Sequence, residues 1–115
     1  MNILPVNKVT WFQLPANDME RAWNFYHQAF GWSQEEAYTN KAIWGAINGE
    51  ITERNEEMQY PRLVIRVDDI NHMLEKIKES GGEIVKERTE IPEIGMAFAS
   101  FVDTEGNIMN IVGDI

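Results

Sequence analysis

Cysteine is absent from the 115 residues. That excludes disulfides, thiolate metal sites and a thiol nucleophile. Cations are scarce: ten Lys and Arg face nineteen Asp and Glu, a formal net charge of −9. Phosphate binding needs clustered Lys and Arg, so no nucleic acid and no membrane surface is expected as a partner. Histidine occurs twice, as His27 and His72. No apolar run approaches the roughly 20 residues of a spanning helix. The opening MNILPVNKVTW has no charged stretch leading into a long apolar one, so no signal peptide is expected. The expectation is one soluble, cytoplasmic domain, large enough to bury a core.

The chain is organised around Val9 to Trp32 (VTWFQLPANDMERAWNFYHQAFGW). Val9 to Leu14 reads as a strand, with Thr10, Phe12 and Leu14 on one face and Val9, Trp11 and Gln13 on the other. Pro15 cannot donate to a ladder, so the strand is expected to stop there. Asp18 is a good N-cap. Met19, Ala22, Trp23, Tyr26, Ala29 and Phe30 recur at helical spacing, and Gly31 is suited to end the helix.

A similar unit follows from Leu63 to Gly82: strand, acidic cap, helix, glycine stop. The capping aspartates and the terminal glycines share one offset, since 69 − 18 = 51 and 82 − 31 = 51. Ile70, Met73, Leu74 and Ile77 match Met19, Ala22, Trp23 and Tyr26. The spacing points to a duplicated module, one copy at about 8–55 and the other at about 62–113.

Between the two helical units, Trp32 to Tyr38 reads as a short exposed strand, Asn40-Lys41 as a turn and Ala42 to Ile47 as a buried strand. Asn48-Gly49 is a hairpin signal, with Ile51 to Arg54 as the returning strand. Asn55 to Pro61 is a polar connector. Arg62 to Val67 is a strand, with Leu63, Ile65 and Val67 on one face and Arg62, Val64 and Arg66 on the other. Glu83 to Thr89 begins a further strand that Pro92 closes, and Gly95 to Val102 and Asn107 to Val112 are two more. Trp32, Trp44, Phe98 and Phe101 are expected in the core or at a subunit interface.

Several stretches, in this order, carry a family likeness: WFQLP at 11–15, DMERA at 18–22, Phe25-Tyr26, FGW at 30–32, RVDDI at 66–70, Gly81-Gly82, TEIPEIG at 89–95 and DTEGN at 103–107. Together they resemble the vicinal oxygen chelate superfamily of glyoxalase I-like lyases, bleomycin-resistance proteins and extradiol dioxygenases. The resemblance implies an α+β fold in which two βαβββ modules form a cup-shaped mixed sheet with helices on the outer face, and it implies a homodimer. It also implies a divalent metal held by His and Glu side chains in the cup. Carried over position by position, the first-strand histidine falls on Trp11, the second module's histidine on Arg62 and the last-strand glutamate on Asn110. The remaining ligand falls near Glu50, the one weak metal candidate. Indole has no lone pair to offer, guanidinium is a cation and a carboxamide oxygen is a weak ligand. No cofactor is therefore expected, and a divalent metal is disfavoured. His27 and His72 fall inside helices, towards solvent.

Strand parity sends Trp11, Gln13, Arg62, Arg66 and Asn110 to the cup side. Trp11 can stack a planar ligand, Arg62 can grip a carboxylate or phosphate, and Gln13 and Asn110 can orient it. The alternative is packing: Trp11 filling a collapsed cup, Arg62 paired with an internal glutamate such as Glu50. Three functions fit this reading. One is a metal-free protein binding a small planar or anionic molecule. Another is a lyase, isomerase or dioxygenase, with a relocated metal or none. The third is a dimeric scaffold with a filled cup.

Overall fold

The computed structural model describes residues 5–35 and 46–115. Along them run β1 (Lys8–Ala16), α1 (Met19–Phe30), β2 (Asn48–Glu53), β3 (Arg62–Arg66), α2 (Ile70–Glu79), β4 (Glu83–Ile91), a 3-10 turn at Pro92–Ile94, β5 (Met96–Val102) and β6 (Ile108–Asp114). The fold is α+β, with parallel and antiparallel strand pairs. It divides into two compact units. One spans Trp11–Leu63; the other takes Val64–Ile115 and the described residues before Trp11.

In the unit formed by Val64–Ile115 and the chain start, the strands lie side by side as β3, β6, β5 and β4, with β3 and β6 parallel and the rest antiparallel. The core is Val67, Ile70, Leu74, Ala97, Ala99 and Ile111, with Ile65, Met73, Ile77, Ile84 and Phe101 packed against it. The alanines sit where α2 crosses β5 because both are fully buried and leave room for Ile70 and Leu74. Asp69 caps α2 by accepting from the His72 amide at 3.1 Å. The left-handed residue after α2 is Gly81, at φ 99°, and not Gly82. Gly82 is instead pressed against Ile77, whose carbonyl accepts its amide at 2.9 Å.

In the Trp11–Leu63 unit, β1 and β2 run parallel, with Trp11 beside Asn48 and Gln13 beside Glu50. Asp18 caps α1 through the Arg21 amide at 3.0 Å, and Gly31 closes it at φ 77°. Among the described residues of this unit, Ala16, Ile51 and Met58 are the buried apolar ones. No residue of α1 is fully buried; Trp32 instead stacks on Tyr26 with ring centroids 4.6 Å apart.

Several expectations need correction. Asn48-Gly49 is not a hairpin tip but the start of β2. Gly49 lies so close to Phe12 that a Cβ would come within 2.6 Å of its carbonyl oxygen, so the glycine serves close strand approach rather than a turn. Pro15 does not stop β1, which runs one residue further; its carbonyl still accepts, from Arg54 at 3.3 Å. Within residues 32–35, Ser33 makes a single β-bridge and Gln34 and Glu35 turn. The end of that expected strand at Tyr38, the Asn40-Lys41 turn, Trp44 and most of Ala42–Ile47 lie outside the described residues. Leu63 is largely exposed, unlike Ile65 and Val67 on its expected face. β4 ends at Ile91, directly before Pro92 as expected, whereas β6 is displaced to Ile108–Asp114.

Candidate functional site

Alternation puts Trp11 and Gln13 on one face of β1, and the in-register parallel pairing sets Glu50 beside Gln13. Three side chains thereby converge. The Trp11 indole N–H donates to Glu50 Oε2 at 2.8 Å, and the Gln13 carboxamide donates to the same oxygen at 3.2 Å. All three are partly buried. Hydrogen bonds to a carboxylate are stronger than those between neutral groups.

Arg62 belongs to the same unit and opens β3. Its Nη2 donates to the Glu57 carbonyl at 2.6 Å. Burial lowers the Arg62 pKa from its ordinary value, partly offset by the negative charge of Glu57. The loop that presents Glu57 is itself built. Asn55 Oδ1 accepts from the Glu57 and Met58 amides at 2.8 and 3.0 Å. Arg54 donates to Asn17 at 2.9 Å and also to the Gln59 carbonyl. The pairing of Arg62 with Glu50 considered from sequence is thus replaced by two separate arrangements: Glu50 on Trp11 and Gln13, Arg62 on Glu57.

The other unit holds Arg66 and Asn110. Arg66 donates to both carboxylate oxygens of Asp114 at 3.2 Å. Asn110 is buried and accepts the Ser100 hydroxyl at 2.6 Å. Ser100 was not singled out from sequence. Its signal is faint: a small polar residue one step from Ala97 and Ala99 in alternation, on the face that α2 does not cover.

The two parallel pairs share a register. Gln13 lies beside Glu50 and Val64 beside Asn110, and 64 − 13 = 51 repeats the offset of the capping aspartates. Glu50 and Asn110 are therefore corresponding residues of two equivalent strand pairs. His27 and His72 are both exposed on helices; His27 Nδ1 donates to the Trp32 carbonyl at 3.0 Å.

The sequence profile of the glyoxalase/bleomycin resistance protein/dioxygenase superfamily matches residues 8–111. The chain belongs to that superfamily. Among its relatives is a glyoxylase-like domain-containing protein of Didymella fabae, 26% identical over 113 residues, covering 87% of this chain and 88% of the relative. A lactoylglutathione lyase of Arabidopsis thaliana is 27% identical over 115 residues, covering 81% of this chain but 41% of the lyase. Among solved structures, methylmalonyl-CoA epimerase of Streptomyces coelicolor superposes with a TM-score of 0.67 at 12% identity, covering 96% of each chain. At that identity the likeness is one of fold. Trp11, Glu50, Arg62 and Asn110 lie on β1, β2, β3 and β6, with the partners given above.

Proposed function

We propose that this superfamily member binds a small planar or anionic molecule and does so without a resident divalent metal. The observation that carries the reading is the Trp11–Gln13–Glu50 cluster, in which one carboxylate oxygen takes two neutral donors at 2.8 and 3.2 Å. Of the four positions that correspond to metal ligands, Glu50 alone supplies an anionic oxygen. Trp11 has no ring lone pair, Arg62 is cationic, and the Asn110 oxygen already accepts from Ser100. A divalent ion does not fit that set, and no step is routed through one. The indole of Trp11 offers a flat wall, Arg62 a partly desolvated cation, and Gln13 an amide to fix orientation.

A second reading has one observation behind it. Both hydrogen bonds to Glu50 fall on Oε2, an arrangement that orients a carboxylate for metal-free proton transfer in an isomerase or lyase. Exposed aromatic side chains on α1, Phe25 and Phe30 among them, support a further proposal that the chain pairs with a second copy of itself.

Elemental analysis of the purified protein and a ligand-library thermal shift on wild type, Trp11→Ala and Arg62→Ala test the main reading. Metal-free protein with hits that weaken in both variants is expected. A stoichiometric, tightly held metal, or hits indifferent to both substitutions, would refute it. Turnover of a hit abolished by Glu50→Gln would favour the second reading. Sedimentation showing a monomer at high concentration would refute dimerisation.

A further inference from the structure

Strand alternation isolates Glu50 from its neighbours on β2. Gly49 is pressed against Phe12 and Ile51 is buried beside Leu14, so Glu50 faces the other way, with Trp11 and Gln13. The two donors on that face do not share the carboxylate evenly. Both meet Oε2, at 2.8 and 3.2 Å. A carboxylate offers about four lone-pair sites on its two oxygens, so two donors fill Oε2. Oε1 accepts from no described residue, and it is not sealed from solvent. Of the described cations in this unit, none pairs with Glu50. Arg54 is held by Asn17 and the Pro15 and Gln59 carbonyls, and Arg62 donates to the Glu57 carbonyl. Withdrawing a charge from water costs free energy unless it is both hydrogen-bonded and paired. The chain supplies the hydrogen bonds, and Oε1 is the side from which pairing can come. The net charge of −9 draws cations towards the molecule and repels anions.

We propose that Glu50 Oε1 receives the ammonium of an organic amine through a single N–H donor. It rests on the small-molecule reading above and names the group that this cluster binds. With Oε2 filled, one oxygen is open, and a point donor fits it. The two-pronged grip of a guanidinium or amidinium needs both oxygens. An oxygen that is merely hydrated makes no such choice.

Calorimetric titration of the whole chain with benzylammonium, its neutral isostere benzyl alcohol and benzamidinium tests this. Wild type should bind benzylammonium at least about tenfold more tightly than benzyl alcohol, the effect of one charge-assisted hydrogen bond. Benzamidinium should gain nothing over benzylammonium; tighter binding of the amidinium overturns the single-point contact. Glu50→Gln keeps an oxygen for Trp11 and Gln13 and puts an NH2 in place of Oε1, so it should abolish the ammonium preference. If that variant is poorly folded, wild type decides: the Trp11 indole N–H resonance, identified with Trp11→Phe, should shift as benzylammonium binds, because both donate to one carboxylate. A resonance that stays in place, no ammonium preference in wild type, or a preference that survives Glu50→Gln in a folded variant overturns the inference. Library hits that weaken in Trp11→Ala and Arg62→Ala would then leave the small-molecule reading standing, and hits indifferent to both would sink it as well.

Discussion

Replacing Gly49 by alanine tests how β2 is seated and, through it, how Glu50 is held. A Cβ at 49 would lie 2.6 Å from the Phe12 carbonyl oxygen and 2.6 and 2.7 Å from two of its ring carbons. Favourable carbon contacts begin near ~3.5 Å, so each approach is too close by almost an ångström. The ring can swing, but the carbonyl belongs to the β1 backbone. Overpacking of this kind costs about 1–3 kcal/mol, and the rigid carbonyl argues for the upper end. Any outward shift of β2 also moves the neighbouring Glu50 from Trp11 and Gln13, at about 1 kcal/mol for each hydrogen bond lost. A loss of about 3 kcal/mol is expected in urea unfolding followed by tryptophan fluorescence. In a Phe12→Ala background the ring contacts vanish and the carbonyl contact stays, so the added cost of the alanine should fall by about 1 kcal/mol. A loss under about 0.5 kcal/mol, or a cost independent of Phe12, would mean that Gly49 sits in a turn, and the account of the Glu50 cluster would fall with it.

Other outcomes follow from the same structure. Ile111→Ala removes a side chain that is 1% exposed at the centre of the core and should cost about 3–4 kcal/mol by urea titration. Asp69→Ala removes the acceptor of the His72 amide and should cost about 1 kcal/mol, with α2 exchanging its first-turn amides faster. Asp103 accepts from the Asn107 amide at 2.9 Å, the Asn107 side chain at 3.0 Å and the Glu105 amide at 2.8 Å. These bonds, the Asn107 amide foremost, hold its carboxyl below the usual 3.8. A depressed carboxyl stabilises the fold above its unfolded value, and that contribution is lost as pH falls through the folded value. The stability gap between wild type and Asp103→Asn should therefore be constant at neutral and mildly acidic pH and shrink below 3.8; a gap that widens in acid would contradict the assignment.

Legibility from sequence followed the range of the physics. Asp18, Asp69 and Gly31 act on amides and carbonyls within a few residues, so their roles could be read from neighbours alone. The pairing of Trp11 with Gln13 on one face needs nothing beyond the two-residue period of a strand. Asn48-Gly49 misled because a local turn motif carries no information about what lies beside it. Lys86 was passed over because its direction depends on the register shift between Ile84 and Lys86, which no local pattern announces.

Local spacing established the two capped helices, since caps and amphipathic periods are local, and the family likeness spread along nearly the whole chain carried the α+β class and the superfamily membership. Tertiary structure decided which strand β2 pairs with, which groups hold Glu50, and which face receives Lys86. Those outcomes depend on neighbours distant in sequence: the space Gly49 leaves against Phe12, the separation of 37 positions from Gln13 to Glu50, and the β5 register that a bulge shifts by one residue.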